Sequence, residues 1–339
     1  MKGKKTAMHR YLLLMISCFI GLGAHAQYTE TINSNRPGNS QGAFAVGRDV
    51  FEVEAGPHFG QDKHDLTHTK TTIFGADYEL RYGLFMEELE INLRGDFLFA
   101  NQKYQMGGIE QSVSYSNFRQ NTLGVKYLIY DPYKKRDLEG PNLYSWKANH
   151  GIHWRDLIPA ISVYAGANLL FGDRPEAYPF FGDEDSGVSP QVAIITQNNW
   201  GPFVFVMNFI ADRLTEDHKR YSGIFTLTHA VSQKFSVFGE FQFIKDDFYS
   251  DDLLRLGGAF LLSPDLQFDL SGLVNFKDTP GRWQIGAGVS YRLDMHSIDV
   301  KLDDGSESKM DKKMKKKAEK DQKKKDPAKN TKDNPGKLE

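Results

Sequence analysis

From Asp49 to Leu293 the chain is divided by turn residues into stretches of about ten residues that alternate in polarity. After Gln27 no run approaches the roughly 18 unbroken apolar residues that a spanning helix needs. Alternation with a period of two puts successive side chains on opposite faces of a strand. A chain built this way without helical spans is either a soluble β-protein or a closed barrel in lipid, because an open sheet edge leaves backbone groups unsatisfied there. Twelve segments lie near residues 50–58, 71–82, 84–100, 118–130, 160–172, 190–199, 202–211, 221–231, 234–245, 253–262, 266–276 and 282–293. An even number suits a bacterial single-chain barrel.

Connection lengths supply a parity test. If the last strand ends on the periplasmic side, the short links Tyr82–Gly83, Asn198–Pro202, Ser232–Gln233 and Ser263–Asp265 share that side. The longer, acidic or glycine-rich links 59–70, 101–117, 172–189, 212–220, 246–252 and 277–281 then lie outside. Short inside and long outside is the usual outer-membrane arrangement. The exception is 131–157, too long for a turn, which is expected to carry a short helix or to pack under the barrel mouth.

In the third segment Leu89, Ile91, Leu93, Phe97 and Phe99 share one face, while Glu88, Glu90, Asn92, Arg94 and Asp96 share the other. Either face could point inward on this evidence. Totals favour lipid, since a soluble barrel this wide would need a large apolar filling, whereas membrane barrels keep a polar interior. Aromatics near strand ends, Phe85, Tyr127, Tyr130, Trp200, Phe243, Phe276 and Trp283, suit interfacial girdles, with core packing as the alternative. The expected fold class is therefore all-β, a transmembrane antiparallel up-and-down β-barrel of twelve strands with a disordered C-terminal tail.

The two ends read as an address and an appendage. Lys2, Lys4, Lys5 and Arg10 precede an apolar stretch and a small-x-small site at Ala24–Ala26, so residues 1–26 are expected to be a signal peptide. Lipidation at Cys18, the only cysteine, is the weaker reading, and with one cysteine no disulfide framework is available. Residues 27–49 form a polar, turn-rich leader that could fold into the lumen. Residues 294–339 form a tail that is lysine-rich from Lys309 and cannot build a packed core. On parity the tail is periplasmic, in the outer membrane of a Gram-negative cell. It is either a tether to an acidic protein partner, anionic lipid or the cell wall, or an inert solubilising extension.

Strand parity places Glu52, Glu54, Asp77, Glu79, Glu88, Glu90, Asp96, Glu240 and Asp269 in the lumen, with Arg81, Arg94, Lys126, Arg255 and Arg292 among them. Two readings stand: a mildly cation-preferring pore, or a cross-strand salt-bridge network that closes the barrel. His58, His64 and His68 in the first outer link lack the glutamate of a zinc-protease helix and read as loop histidines. The acidic runs at Asp183–Asp185 and Asp246–Asp252 read as solvated loop tips rather than calcium or lipopolysaccharide-cation sites. No Ser/His/acid set is defensible: Ser222 and His229 lie at opposite ends of one segment. No phosphate-binding glycine loop, CxxC pair or nucleic-acid motif occurs, so neither enzyme activity nor a cofactor nor a bound metal is expected.

The closing segment, Gln284–Tyr291, resembles the C-terminal signal that barrel-assembly machinery recognises, carried by Gln284, Gly286, Val289 and Tyr291. Further stretches begin at Ser34 (SNRPGNSQGAFAVGRDVFEVEAG), Glu79 (ELRYGLFMEELEINLRG), Leu123 (LGVKYLI), Ile158 (IPAISVYAGANLLFG), Val237 (VFGEFQF) and Leu262 (LSPDLQFDLSGLVNF). Together they resemble the outer-membrane family described as "Putative MetA-pathway of phenol degradation". The resemblance runs from Ser34 to Leu293 and implies a twelve-stranded channel for small molecules, hydrophobic ones included. The implied partners are outer-membrane lipid, lipopolysaccharide and the assembly machinery, with no nucleic acid. The long link and lysine tail depart from a plain porin. They leave open a non-conducting barrel that serves as scaffold or accessory subunit of an outer-membrane complex.

Overall fold

The alternating segments become twelve antiparallel strands among the described residues of the computed structural model, which are 31–134, 144, 154–169, 187–247 and 249–295. They are β1 (Val50–His64), β2 (Thr69–Gly83), β3 (Leu89–Met106), β4 (Ile109–Tyr130), β5 (Ala160–Leu169) and β6 (Val188–Trp200). The remainder are β7 (Phe203–Asp212), β8 (Arg220–Ala230), β9 (Phe235–Lys245), β10 (Ser250–Ser263), β11 (Leu266–Asn275) and β12 (Gly281–Asp294). Each pairs with its sequence neighbours, and β12 returns to β1 to close the barrel, with Glu52 opposite Arg292 and Val53 opposite Tyr291. Closure leaves no free sheet edge around the waist, which is the condition for crossing lipid with strands.

Burial settles which face points inward. Glu52, Arg81, Glu90 and Lys126 are each 0% exposed, while Phe74, Ile194, Leu270 and Ile285 are all more than half exposed on the other face. A polar interior inside an apolar outer band is the inverse of a water-soluble barrel and is the fold of an outer-membrane β-barrel.

Several boundaries differ from the sequence expectation. The links expected at 59–70 and 101–117 are mostly strand: β1 runs on to His64, and β3 and β4 continue to a tight Gly107–Gly108 turn. Both glycines have positive φ, 61° and 80°, as a two-residue hairpin turn requires. At 18 and 22 residues these strands exceed the 9–11 that a tilted crossing uses, so the hairpin extends beyond the lipid. There neither face needs to be apolar, which is why its polar sequence resembles a loop. At the opposite end, where β1 begins and β12 ends and which parity makes periplasmic, Glu88 lies in the β2–β3 turn rather than in a strand. A short 3-10 helix, Trp154–Leu157, closes the long link, and the Asp156 carbonyl accepts from Trp200 Nε1 at 2.6 Å. The expected signal peptide, most of the 131–157 link and the tail from residue 296 lie outside the described residues.

Candidate functional site: a leader seated across the lumen

Charges inside a barrel must be paired or hydrated. Arg81, on β2, makes contacts of 3.2, 3.3 and 3.0 Å to Glu52, Glu54 and Glu90, and Lys126 on β4 reaches Glu90 at 3.2 Å. Arg255 pairs with Glu240 at 2.7 Å, and Arg292 pairs with Asp265 at 2.7 Å near the inner rim. Glu88 meets Lys134 at 3.5 Å at the same rim. Of the β12 residues singled out for assembly, Gln284 and Gly286 line the lumen side, while Val289 and Tyr291 are exposed on the outer face.

The acidic excess of this wall is met by the leader. Backbone N–H groups of Asn35 and Arg36 donate to the two Glu54 carboxylate oxygens, each at 3.0 Å, and those of Asn39 and Ser40 donate to Glu240 at 2.8 and 3.2 Å. Val46 N–H donates to Glu90 at 3.0 Å, and Asn35 Nδ2 donates to Glu79 at 3.0 Å. Neutral partners continue the path: Asn208 brackets Gln41 through both its amide atoms, and Gln197 accepts from Ala43 N–H at 2.9 Å. Cations take the carbonyls, Arg81 that of Asn33 at 2.7 Å and Lys126 those of Gly42 and Phe44 at 3.0 Å. A segment without secondary structure thus satisfies its backbone through lumen side chains, as buried backbone must. Ala43 and Phe44 also pack into the apolar cluster of Leu128, Ala160, Tyr164, Ala193 and Ile195.

One leader side chain reaches furthest. Arg36 forms ion pairs with Asp77 and with Asp269, the latter at 3.0 Å, and donates to the Ala287 carbonyl at 3.2 Å. It occupies space kept open by Gly56 and Gly288, where a Cβ on either residue would run into the guanidinium.

The leader divides the lumen rather than filling it. On its inner side is a cavity of about 390 Å³ bordered by Phe44, Glu87, Lys134, Val206 and Phe238, and on its outer side one of about 250 Å³ bordered by Arg94, Arg119, His58, Ile224 and Leu253. Arg94 donates to Asn39 through both its carbonyl, at 3.1 Å, and its side-chain oxygen. Arg119 pairs with Asp96.

Sequence reasoning missed Arg36, His58, Arg119, Asp212, Arg220 and Arg282 as lumen groups, all of which border the outer cavity. His58 belongs to β1 rather than to a loop and stands 3.7 Å from Asp77 and 3.6 Å from Asp96. The parity of Glu52 and Glu54 already puts His58 inside, and extending the segment by four residues adds Asp62. Arg119 has no such signal: a register shift between β3 and β4 at Asp96/Phe97 leaves it as an extra residue, turned to the wrong face for simple alternation.

The family described as "Putative MetA-pathway of phenol degradation" matches residues 34–293. Solved structures with a similar fold include an outer membrane channel from Pseudomonas putida F1, at 9% identity and a TM-score of 0.47, over 77% of this chain and 100% of that one. The NanC porin matches at 7% and 0.40, over 70% of this chain and 100% of its own. The toluene transporter TodX of Pseudomonas putida matches at 7% and 0.40, over 72% and 88%. No curated protein matches the chain in sequence.

Proposed function

The chain belongs to that phenol-degradation family, and we propose that it is an outer-membrane barrel that passes small solutes, with its own leader as the movable plug. The observation that carries this reading is the divided lumen: two cavities, about 390 and 250 Å³, separated by a single strand-free segment. The wall is held by continuous ladders on both sides of every strand, whereas the leader is held by side-chain bonds, most of them to buried charged groups such as Glu54, Glu90, Glu240 and Lys126. Such charge-assisted bonds contribute about 1.5–3 kcal/mol each, and water takes their place when the leader leaves. The leader is the segment of the lumen that can move without breaking a strand ladder, and moving it joins the two cavities. Their size suits solutes of a few rings or fewer and no polymer.

Planar-bilayer conductance of the full chain, compared with a chain lacking residues 31–46, tests the reading. The intact protein should give brief, small openings and the shortened one a larger steady conductance. Silence from both, with the barrel folded, would end it. The lysine-rich extension from Lys309 has the composition of an electrostatic tether to an acidic periplasmic partner or anionic lipid. Deleting it should remove proteins that co-purify with the barrel, and an unchanged set would sink the tether.

A further inference from the structure

The outer cavity combines an arginine-rich lining with a group of aliphatic side chains. Six arginines border it, Arg36, Arg94, Arg119, Arg220, Arg255 and Arg282, against three aspartates, Asp77, Asp96 and Asp212. Each of those aspartates already has a donor in the chain: Arg36 for Asp77, Arg119 for Asp96, and Asn168 with the Arg213 N–H for Asp212. Arg94 differs from its neighbours. Its hydrogen bonds go only to the neutral Asn39, and its carboxylate neighbours, Asp77 and the Glu79 directly opposite on β2, lie beyond 4.0 Å. His58, 3% exposed on the same wall, faces Asp77 and Asp96 with its two ring nitrogens at 3.7 and 3.6 Å, just beyond hydrogen-bond length. Half-way round a twelve-stranded barrel from β3 is β9, and on that side Ile210, Ile224, Ile244, Leu253 and Leu273, from β7 to β11, are interleaved with Arg220, Ser222, Gln242, Arg255 and Ser271.

From these walls we infer that the outer cavity is a binding site for a small organic anion with an apolar body, a monocarboxylate whose head meets Arg94 and whose body lies on the isoleucine and leucine side. This rests on the solute-passing reading and narrows it to a solute class. It replaces the cation preference expected from strand parity, because the carboxylates that created that expectation are engaged by the leader and by arginines. A guanidinium with only amide partners can exchange them for a carboxylate, which accepts two parallel N–H bonds. The five aliphatic side chains offer contact to the other end of the solute, and the cavity, near the lower limit of ligand pockets, limits it to about one ring.

The test uses one ring with three charges: benzoate, benzamide and benzylammonium, titrated calorimetrically into the full chain in detergent. Benzoate should bind tightest and benzylammonium weakest, with acetate well below benzoate. Arg94→Gln should lower benzoate affinity by about tenfold or more while leaving benzamide within a fewfold, and Arg94→Lys should recover part of the loss. Ile224→Asn or Leu253→Asn should narrow the gap between benzoate and acetate. Benzamide is the internal control: a variant that merely loosens the leader changes both ligands together. Equal binding of benzoate and benzylammonium, a parallel loss of benzoate and benzamide in Arg94→Gln, or no binding at all would overturn the inference. Liposome flux of the same three compounds separates this from the parent reading. Ordered binding without flux removes passage and keeps the site, whereas flux without charge order removes the site alone.

Discussion

Replacing Arg36 by alanine should convert a mostly closed lumen into one open about half the time. The guanidinium makes two ion pairs, to Asp77 and Asp269, and one bond to the Ala287 carbonyl. Charge-assisted bonds contribute about 1.5–3 kcal/mol each, but the Asp77 side chain is 41% exposed, so that pair belongs at or below the low end of the range. A loss of about 3 kcal/mol of docking free energy is the reasonable sum, and it corresponds to a shift on the order of a hundredfold in the open-to-closed ratio. Starting from an open fraction of about 1%, typical of a minor state, the variant would approach one-half. Single-channel recording reads this directly as open fraction, and heat-modifiable gel mobility verifies that the barrel is folded. Arg36→Lys should fall between the two, since an ammonium keeps the charge but cannot span both carboxylates as a fork. Arg36→Ala combined with Asp269→Asn should fall well short of the sum of the single effects, because the pair acts as a unit. An open fraction within twofold of wild type in folded Arg36→Ala would refute the assignment of Arg36 as the fastening of the plug.

Three further outcomes follow from the same geometry. Gly288→Ala should raise the open fraction as Arg36→Ala does, because the added Cβ occupies the guanidinium's space, whereas Gly272→Ala, with nothing within 4 Å of its Cβ, should leave recordings unchanged. Arg81→Met should lower the stability of the folded barrel by about 3–5 kcal/mol in urea titrations from vesicles, since Glu52, Glu54 and Glu90 lose a fully buried cation. Leu270→Arg, at the middle of β11 on the lipid face, should cost about 2–4 kcal/mol in the same titration, whereas Val113→Arg, on the hairpin beyond the lipid, should cost about 0–1 kcal/mol.

Strand count and closure were legible because lipid imposes the alternation directly: every crossing strand needs an apolar outer face at every second residue. Val289 and Tyr291 on β12, or Leu89, Ile91 and Leu93 on β3, could only belong to that face once the interior was known to be charged. The same logic explains the misreadings. Where strands leave the lipid, as β3 and β4 do between Asn101 and Asn117, the constraint lapses and the sequence loses its signature while the hydrogen-bonded ladder continues. The Gly107–Gly108 pair was the remaining signal there, a two-residue hairpin turn whose positive φ values only glycine adopts freely.

The lumen was legible residue by residue but not as an arrangement, and the reason lies in its binding partner. Parity gives the direction of each side chain on a strand, so it finds Glu54, Glu90 and Glu240, and then leaves an unexplained surplus of carboxylates. It says nothing of an irregular segment whose backbone supplies the missing donors. Yet the surplus itself carries information: buried carboxylates without enough cations on the wall require N–H groups from somewhere else in the chain. From Ser34 to Gly42 the leader is asparagine, serine, glycine and glutamine apart from Arg36 and Pro37, so it carries many such groups and few bulky side chains to obstruct them. Acceptors fixed on rigid strands and donors on a segment that needs no regular structure make a contact that is specific yet separable. Separability, which a continuous strand ladder would not allow, is the property that a plug requires.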